Sequence, residues 1–552
     1  MKIIDNYYII NKLLFFLILP ISNFCQVPNL ETPLPIIIID TNGQNIVDEP
    51  KINADMGIIY NGWNETNKST DPYNNYNGKI GIEIRGNTSQ TYPKKSYAVE
   101  TRTPSGENLN VSLLGMPSEN DWVLYGPYSD KTLIRNAIAY KLSRMLGHYA
   151  PRTKFCELII NDNYRGLYLL IEKIKRDDNR VNISKLKDTD ISGNELTGGY
   201  IFKIDSRTGS EIDGWRSPYP RRDGLSGEGL YYQYHYPKKS DIMPEQELYI
   251  KNYVTNFENV MNANYKYDET LGYYNYLDMD EAVDYFIVNE ACKNFDFGFA
   301  SFFLYKNKDS HSKVLHFGPV WDFNVSMGNA QGEEFRSPQG WIADLTHNPW
   351  GTPLGRPFWF KFIWQDTNFL NLFNYRLRSV RSNYLSKTCI NSTINNMVNE
   401  ISDAVDRNFT RWPILNTTID HEALGTYDNE IDYLKNWWYD HLNWIDSIVG
   451  TLDLFNESSI NYYSLKQNKP NPFNSGTNIE YSIYKDGHVN INIYDLYGKS
   501  IKTLINRNQL KGNYTINWDG KNINDQSVSS GIYLYILSAG KSKQTKKMLL
   551  LK

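Results

Sequence analysis

Apolar positions recur at two different periods along this chain, and the changes of period divide it. In His488-Val-Asn-Ile-Asn-Ile-Tyr494, Val489, Ile491 and Ile493 alternate with polar residues, as a strand with one buried face requires. Gly531-Ile-Tyr-Leu-Tyr-Ile-Leu537 and Thr545–Leu551 supply further strands, with Gly and Asp turns between them. This predicts a small all-β sandwich over residues 465–552. Residues 30–110 are also strand-rich: Pro35–Asp40, Met56–Tyr60, Ile80–Arg85 and Ser96–Thr101 are β-branched or alternating runs. Between them the period lengthens. Ile134, Ala137, Ile138, Leu142 and Leu146 fall near helical spacing, so a helix is predicted over Asp130–Leu146 with Asp130 as its cap. Phe155–Ile160 and Gly166–Glu172 flank the turn Asn161-Asp-Asn163 and form a hairpin, and Gly198–Asp205 is one more strand. Helical spacing returns in Glu245–Asn262 and Asp280–Ala291, and residues 355–450 are mostly helical. Paired strands at 300–305 and 313–318 interrupt this second half, and 455–465 is a linker to the sandwich.

At 552 residues the chain exceeds one ordinary domain, and 41% hydrophobic with 22% charged residues is a globular balance. A net charge of −4 without any basic tract offers nothing to a nucleic acid. Lys2, Lys12 and the short apolar run Leu13–Ile21 make residues 1–25 a secretory signal, and no later stretch is long and apolar enough for a transmembrane helix. Without that leader three cysteines remain, Cys156, Cys292 and Cys389, with no CxxC pair. Buried free thiols or one long-range disulfide are both compatible with that spacing. The eight histidines show no HExxH or paired-ligand spacing, and no G-x-S-x-G elbow occurs.

The candidate chemistry lies in Asn294–Tyr305 and Gly318-Pro-Val-Trp-Asp-Phe-Asn324. Phosphoryl transfer needs a carboxylate beside the attacking hydroxyl, a polar ligand about five residues on, and a second carboxylate on a following turn that holds Mg²⁺. Asp296 has Ser301 five positions later, then a strand pair, then Asp322 at a strand end with Asn324 beside it. Asp322 and Asn324 offer the hard oxygens that Mg²⁺ prefers. Strands, a helix, more strands and a helical half with an embedded hairpin also follow the order of a two-lobed kinase-like domain, an order that many α+β proteins share. Aspartates at turns equally serve to bond nearby backbone. No GxGxxG or GxxxxGK[ST] cradle is present. Arg85-Gly-Asn-Thr-Ser89 is either a phosphate-facing turn or a plain hairpin turn. Lys95 either steadies phosphates or forms a solvated pair with Lys94. Glu172 and Lys173 line a nucleotide site or pair at the surface, and Arg135 meets a cleft carboxylate or an exposed face.

Two resemblances sharpen this. Pro470-Asn-Pro-Phe473, Tyr494-Asp-Leu-Tyr-Gly498, Trp518-Asp-Gly520, Ser530-Gly-Ile-Tyr533 and the terminal Lys546–Lys552 resemble the C-terminal sorting domain of proteins exported by the type IX secretion system of Bacteroidetes. That implies passage through the periplasm to the cell surface or the medium, by way of that machinery. Lys94-Lys-Ser-Tyr97, Asp121-Trp-Val-Leu124, Asp130-Lys131, Arg135-Asn136, Tyr149-Ala-Pro-Arg152, Tyr164-Arg-Gly-Leu-Tyr168, Glu172-Lys173, Gly198–Lys203 and Trp321–Asn324 resemble the CotH family of atypical kinases across roughly residues 33–450. The resemblance implies a two-lobed kinase-like fold over 26–455, strand-rich over 30–205 and helical over 240–450, with an immunoglobulin-like sandwich over 456–552. It implies ATP with Mg²⁺ or Mn²⁺ as cofactors, Asp296 as catalytic aspartate and Asp322 as metal ligand; Asn324 and Ser301 are candidate further ligands from their position, and Lys95, Arg85 and Glu172 remain the candidates toward the nucleotide. Protein Ser or Thr hydroxyls would be the acceptors. Ser301 stands where the family often has Asn, and Asn324 where it often has a second Asp. An adhesin or structural protein keeping the same fold without turnover is the competing expectation.

Overall fold

The computed structural model describes residues 29–205, 213–220, 229–451, 463–483, 487–496, 498–510, 512–539 and 542–552. The expected leader over residues 1–25 and most of the expected linker lie outside them. The chain divides into two compact units, Met1–Asp446 and Ser447–Lys552.

In the first unit seven strands close into a barrel. They are β1 (Ile36–Asp40), β2 (Ile52–Ile59), β3 (Tyr76–Arg85), β4 (Ser96–Arg102), β5 (Asp121–Tyr125), β6 (Thr153–Ile160) and β7 (Asn163–Glu172), in the order β1-β2-β3-β4-β5-β7-β6. Every pair is antiparallel except the closing one, β1 against β6, which runs parallel from Ile36↔Glu157 to Ile39↔Ile160. Alternate residues of the strands fill the interior: Ile37 and Ile39, Met56 and Ile58, Ile80 and Ile82 enter one core, joined by Trp122 and Leu124 of β5, a strand that the sequence reading does not assign. Closure leaves this sheet no open edge.

Helix α1 (Arg135–Met145) begins five residues later than the periodicity predicts. Asp130 spends its carboxylate on the Thr132 and Arg135 amides, at 3.1 and 2.9 Å, and on the Arg135 guanidinium at 2.6 Å. The backbone turns around that carboxylate before it can coil.

Gly198–Asp205 supplies the expected strand, but that strand lies outside the barrel. It forms β8 (Tyr200–Ile204), the centre of a five-stranded antiparallel sheet with β9 (Gly214–Pro220), β10 (Gly229–Tyr236), β11 (Phe302–Lys306) and β12 (Leu315–Phe317). The order is β9-β10-β8-β11-β12. The sequence reading assigns no strand at β9 or β10. Helices α2 (Pro244–Asn262) and α3 (Met279–Cys292) lie between β10 and β11, and α4 (Phe358–Gln365), α5 (Thr367–Ser382), α6 (Lys387–Arg411) and α7 (Tyr427–Thr451) follow. Asp278 caps α3 by accepting the Glu281 amide at 3.0 Å, and left-handed Lys293 ends it. From Ala282 to Cys292 every residue of α3 is buried, so the helix is a rigid support for whatever follows it. Helix α6 meets the barrel through buried Lys94, which donates to the Leu167 carbonyl and to Asn408, both at 2.7 Å.

Past the end of α7, the described residues of the second unit form strands only, in two sheets. Strands β13 (Tyr463–Leu465), β14 (Thr477–Ile483) and β17 (Gly512–Trp518) form one sheet, and β15 (Gly487–Tyr494), β16 (Ser500–Gln509), β18 (Gly531–Ala539) and β19 (Ser542–Leu550) the other. Inward residues of both, among them Ile479, Tyr481, Val489, Ile491, Trp518 and Leu537, share one core. Three of the quoted tail motifs meet there. The Phe473 and Tyr533 rings lie 5.6 and 5.2 Å from Trp518.

Candidate active site at the ends of the β11–β12 hairpin

Asp296 sits in the turn that leaves α3 and leads into β11, and Asp322 in the turn that leaves β12. The pairing Leu304↔Phe317, Tyr305↔His316 and Lys306↔Leu315 returns the chain to its starting end. Two further backbone bonds stitch the turns together. The Phe295 amide donates to the Val325 carbonyl at 3.0 Å, and the Met327 amide to the Cys292 carbonyl at 2.7 Å.

Helix α1 holds the Asp322 turn from the other side. The Phe323 amide donates to Asn136 Oδ1 at 2.6 Å, and the Asp322 amide to the Tyr140 hydroxyl at 3.2 Å. Arg135 reaches neither a cleft carboxylate nor an exposed face. It is buried, donating to the Ser326 and Met327 carbonyls at 3.1 and 3.4 Å while paired with Asp130. Asp322 itself is left-handed, φ 61°, a conformation that Asp tolerates better than most residues and that costs about 1 kcal/mol or more.

Three carboxylates act on one another here. Burial pushes the Asp296 carboxyl well above the usual range, and the charges of Asp322 and Asp205 push it further. Burial and then Asp205 raise Asp322 to about 6, against the pull of Arg85. Burial lowers Arg85 in turn, opposed by Asp322, Tyr140 and Asp205. Its guanidinium lies 5.2 Å from the Trp321 ring, which stacks on Tyr140 at 5.9 Å. The Arg85 reached from the end of β3 thus faces the hairpin turn across the cleft.

Asp205 was not a sequence candidate, and its only sequence signal is a polar end to the β8 run. Strand pairing from Tyr200↔Lys306 to Ile204↔Phe302 delivers it to the start of β11. There it accepts the Ser301 amide at 3.3 Å and the Lys203 ammonium at 2.6 Å. Ser301 is buried and left-handed, φ 49°. Asn324 donates to Ser129 Oγ at 3.5 Å, and its carbonyl accepts from Asn329 at 2.7 Å.

The other expected nucleotide residues are placed differently. Lys95 donates to the Gln90 carbonyl at 2.5 Å, within the turn after β3. Glu172 is fully buried and is taken up by Arg152, at 2.6 Å to its guanidinium and 2.9 Å to its amide. Its neighbour Lys173 lies 3.5 Å from the Asp121 carboxylate. Burial lowers its pKa, Asp121 opposes this, and Lys51, Arg85 and Lys238 lower it further. Of the basic candidates, Arg85 is therefore the one coupled to the Asp322 carboxylate, with Lys173 in the same field.

The chain matches the family described as CotH kinase protein over residues 82–445, and the family described as secretion system C-terminal sorting domain over residues 470–551. No curated protein matches it. Among solved structures, the crystal structure of dimeric latent PorU from Porphyromonas gingivalis is similar at 19% identity over 16% of this chain and 9% of its own, with a TM-score of 0.15. Pseudomonas fluorescens alkylpurine DNA glycosylase AlkC, bound to DNA containing an abasic site analogue, is similar at 11% identity over 38% of this chain and 59% of its own, with a TM-score of 0.14. Likenesses this slight decide nothing about fold or chemistry. The family matches do: with 82–445 accounted for by one family and 470–551 by the other, this chain belongs to the CotH kinase protein family and carries a secretion-system sorting domain.

Proposed function

We propose that this chain is an exported protein kinase that transfers the γ-phosphoryl group of ATP to Ser or Thr hydroxyls of surface or secreted proteins. The observation that supports this most is the pair of buried carboxylates, Asp296 and Asp322, both raised first by burial and lying on two stitched turns with Arg85 opposite. Asp296, Asp322 and Asp205 are answered by Arg85 and by the Lys203 paired with Asp205, which leaves one acidic group in excess for a divalent cation to relieve. The donors are oxygens, the set that Mg²⁺ or Mn²⁺ takes. Asp322 would hold the ion, with Asn324 and Ser301 as weaker neutral ligands. Bound there, the ion would neutralise phosphate charge as it develops.

Asp296 has the other role. Its raised pKa makes it a stronger proton acceptor than a surface aspartate. It orients the acceptor hydroxyl and takes its proton while the hydroxyl oxygen bonds to the γ-phosphorus and the bond to the bridging oxygen breaks. ADP leaves, and the proton stays on the Asp296 carboxylate. Arg85 and Lys173 offer positive charge to the phosphates, Arg85 as a planar fork and Lys173 as a point charge. Transfer takes place before or during export, since ATP is scarce outside the cell. The test is incubation of the purified protein with γ-labelled ATP and Mg²⁺ or Mn²⁺, beside Asp296→Ala and Asp322→Ala. Metal-dependent label in protein, lost in both variants, is the expected result. Label that persists in either variant, or none with any acceptor, overturns the assignment.

A further inference from the structure

A second polar cluster lies at the opposite end of α3 from Asp296. That helix is 14 residues long, so the two ends are about 20 Å apart. Asp278 and Glu281 stand at its N-terminal end, and His316 faces them from β12. His148, in the loop after α1, approaches from the other side.

We propose that His316, Glu281 and Asp278 form a binding site for a borderline divalent metal ion of the zinc class, with His148 or water from the adjoining cavity completing the coordination.

The ligand atoms are already gathered. The candidate atoms of Asp278, Glu281 and His316 all lie within 4.8 Å of one another. His316 Nδ1 is 2.5 Å from one Glu281 oxygen and 3.8 Å from Asp278 Oδ2. His148 Nδ1 is 3.9 Å from the other Glu281 oxygen. Around a tetrahedral ion with bonds of about 2.0 Å, neighbouring ligand atoms are about 3.3 Å apart. Two of the three spacings need small adjustments inward, and the Glu281–His316 contact must open by about 1 Å. An ion pair would explain Glu281 and His316 alone. Asp278 also caps α3, His148 also pairs with Asp284, and the second Glu281 oxygen accepts the Tyr305 hydroxyl at 2.6 Å, yet Asp278 Oδ2 and His148 Nδ1 are still turned to the same point, just beyond hydrogen-bond reach of the pair.

Both imidazoles have the outer support that metal-binding histidines carry. His148 Nε2 is held by Asp284 at 2.8 Å, and Asp284 is itself clamped by Arg376 at 2.6 and 2.9 Å. His316 Nε2 is held by Ser312 Oγ at 2.8 Å, and the ring stacks on Tyr305 at 4.8 Å. With the far nitrogens taken, each Nδ1 is the atom turned toward Glu281. Two carboxylates and two neutral imidazoles sum to −2, which a divalent ion balances, and imidazole nitrogen favours zinc-class ions over Mg²⁺. A cavity of about 170 Å³ adjoins the cluster, lined among others by His148, Glu281 and Tyr305. It leaves room for a water or a small ligand at an open position.

The test uses the untagged full chain, stripped with EDTA and titrated with Zn²⁺ by calorimetry and with Co²⁺ by visible absorption. With excess Mg²⁺ present to occupy the proposed Asp322 site, one tight equivalent of each ion is expected, with a Co²⁺ spectrum of mixed nitrogen and oxygen ligation. His316→Ala should abolish it, and Asp284→Asn should weaken it by about tenfold or more through loss of the outer support. Asp322→Ala should leave it unchanged, which separates this site from the proposed kinase metal. Zn²⁺ should also raise the melting temperature of the unaltered protein, and EDTA should reverse that, so the idea stays testable if His316→Ala fails to fold. No binding by the unaltered protein, binding retained in folded His316→Ala, or binding lost in Asp322→Ala would each overturn the proposal.

Discussion

Asp322→Asn is expected to stabilise the metal-free protein while removing the Mg²⁺ affinity proposed for this site. The carboxyl titrates near 3.8 when unfolded and is raised to about 6 in the folded cleft, by burial first and then by Asp205. Between those values the folded state holds a proton that the unfolded state has released. Stability therefore falls as pH rises through that window and stays lower above it. At 1.36 kcal/mol per pKa unit, the full cost at pH 7 is about 3 kcal/mol. Arg85 loses a partner when the charge is removed, so the net gain should be about 1–3 kcal/mol. Asn tolerates the left-handed backbone at this position as well as Asp does, and no new strain offsets the gain. The assay is urea unfolding in EDTA at pH 7 and pH 4, with metal binding followed separately. The variant should be more stable at pH 7, and the advantage should shrink to nothing by pH 4. A variant no more stable than the parent at pH 7, or equally favoured at pH 4, would refute the electrostatic account.

Three further outcomes are expected. Asn136→Ala leaves the Phe323 amide without its 2.6 Å acceptor, so stability should drop by about 1–3 kcal/mol and phosphate transfer should fall more in kcat than in KM; steady-state kinetics beside urea unfolding check this. Cys156 and Cys292 are free, fully buried, and raised by burial, so Ellman's reagent should reach neither until the protein is denatured, whereas half-buried Cys389 should react first. Removing residues 463–552 should leave transfer by the remainder unchanged in vitro and strand the shortened protein in the periplasm, because the tail has its own core; cell fractionation reads the second effect.

Legibility from sequence followed the range of the contacts involved. β-Branched and alternating runs named six of the seven barrel strands, missing Asp121–Tyr125, and three of the tail, because each buried face leaves its pattern in the chain itself. The closure of the barrel left no such trace, since the parallel pairing of β1 with β6 depends on a segment more than a hundred residues away. The β11–β12 hairpin could be read, and with it the meeting of the Asp296 and Asp322 turns, because the turn is local. Asp205 could not, because its approach to Ser301 depends on β8 pairing with a strand about a hundred residues on. The Glu172-Lys173 pair shows a further limit. The two residues are adjacent in sequence, and only the partners reveal that Glu172 meets Arg152 while Lys173 meets Asp121. The histidines announced nothing by spacing, since the ligands proposed around Glu281 come from a loop, a helix end and a strand.

The parallel seam of the barrel also sets an order of events during synthesis. Strand β1 begins with four consecutive isoleucines, Ile36 to Ile39, and its neighbour β2 arrives within twenty residues. Its other edge waits for β6; Thr41 and Asn161, which lock the seam's end, are 120 residues apart. Until then a growing chain presents an apolar, β-branched edge of the kind that pairs with other chains. Long-range closure of this sort is slow, because the loop entropy is lost before the new contacts repay it. Substitutions along the seam should therefore act on yield and on the demand for chaperones during export, and leave the turnover of correctly folded molecules untouched.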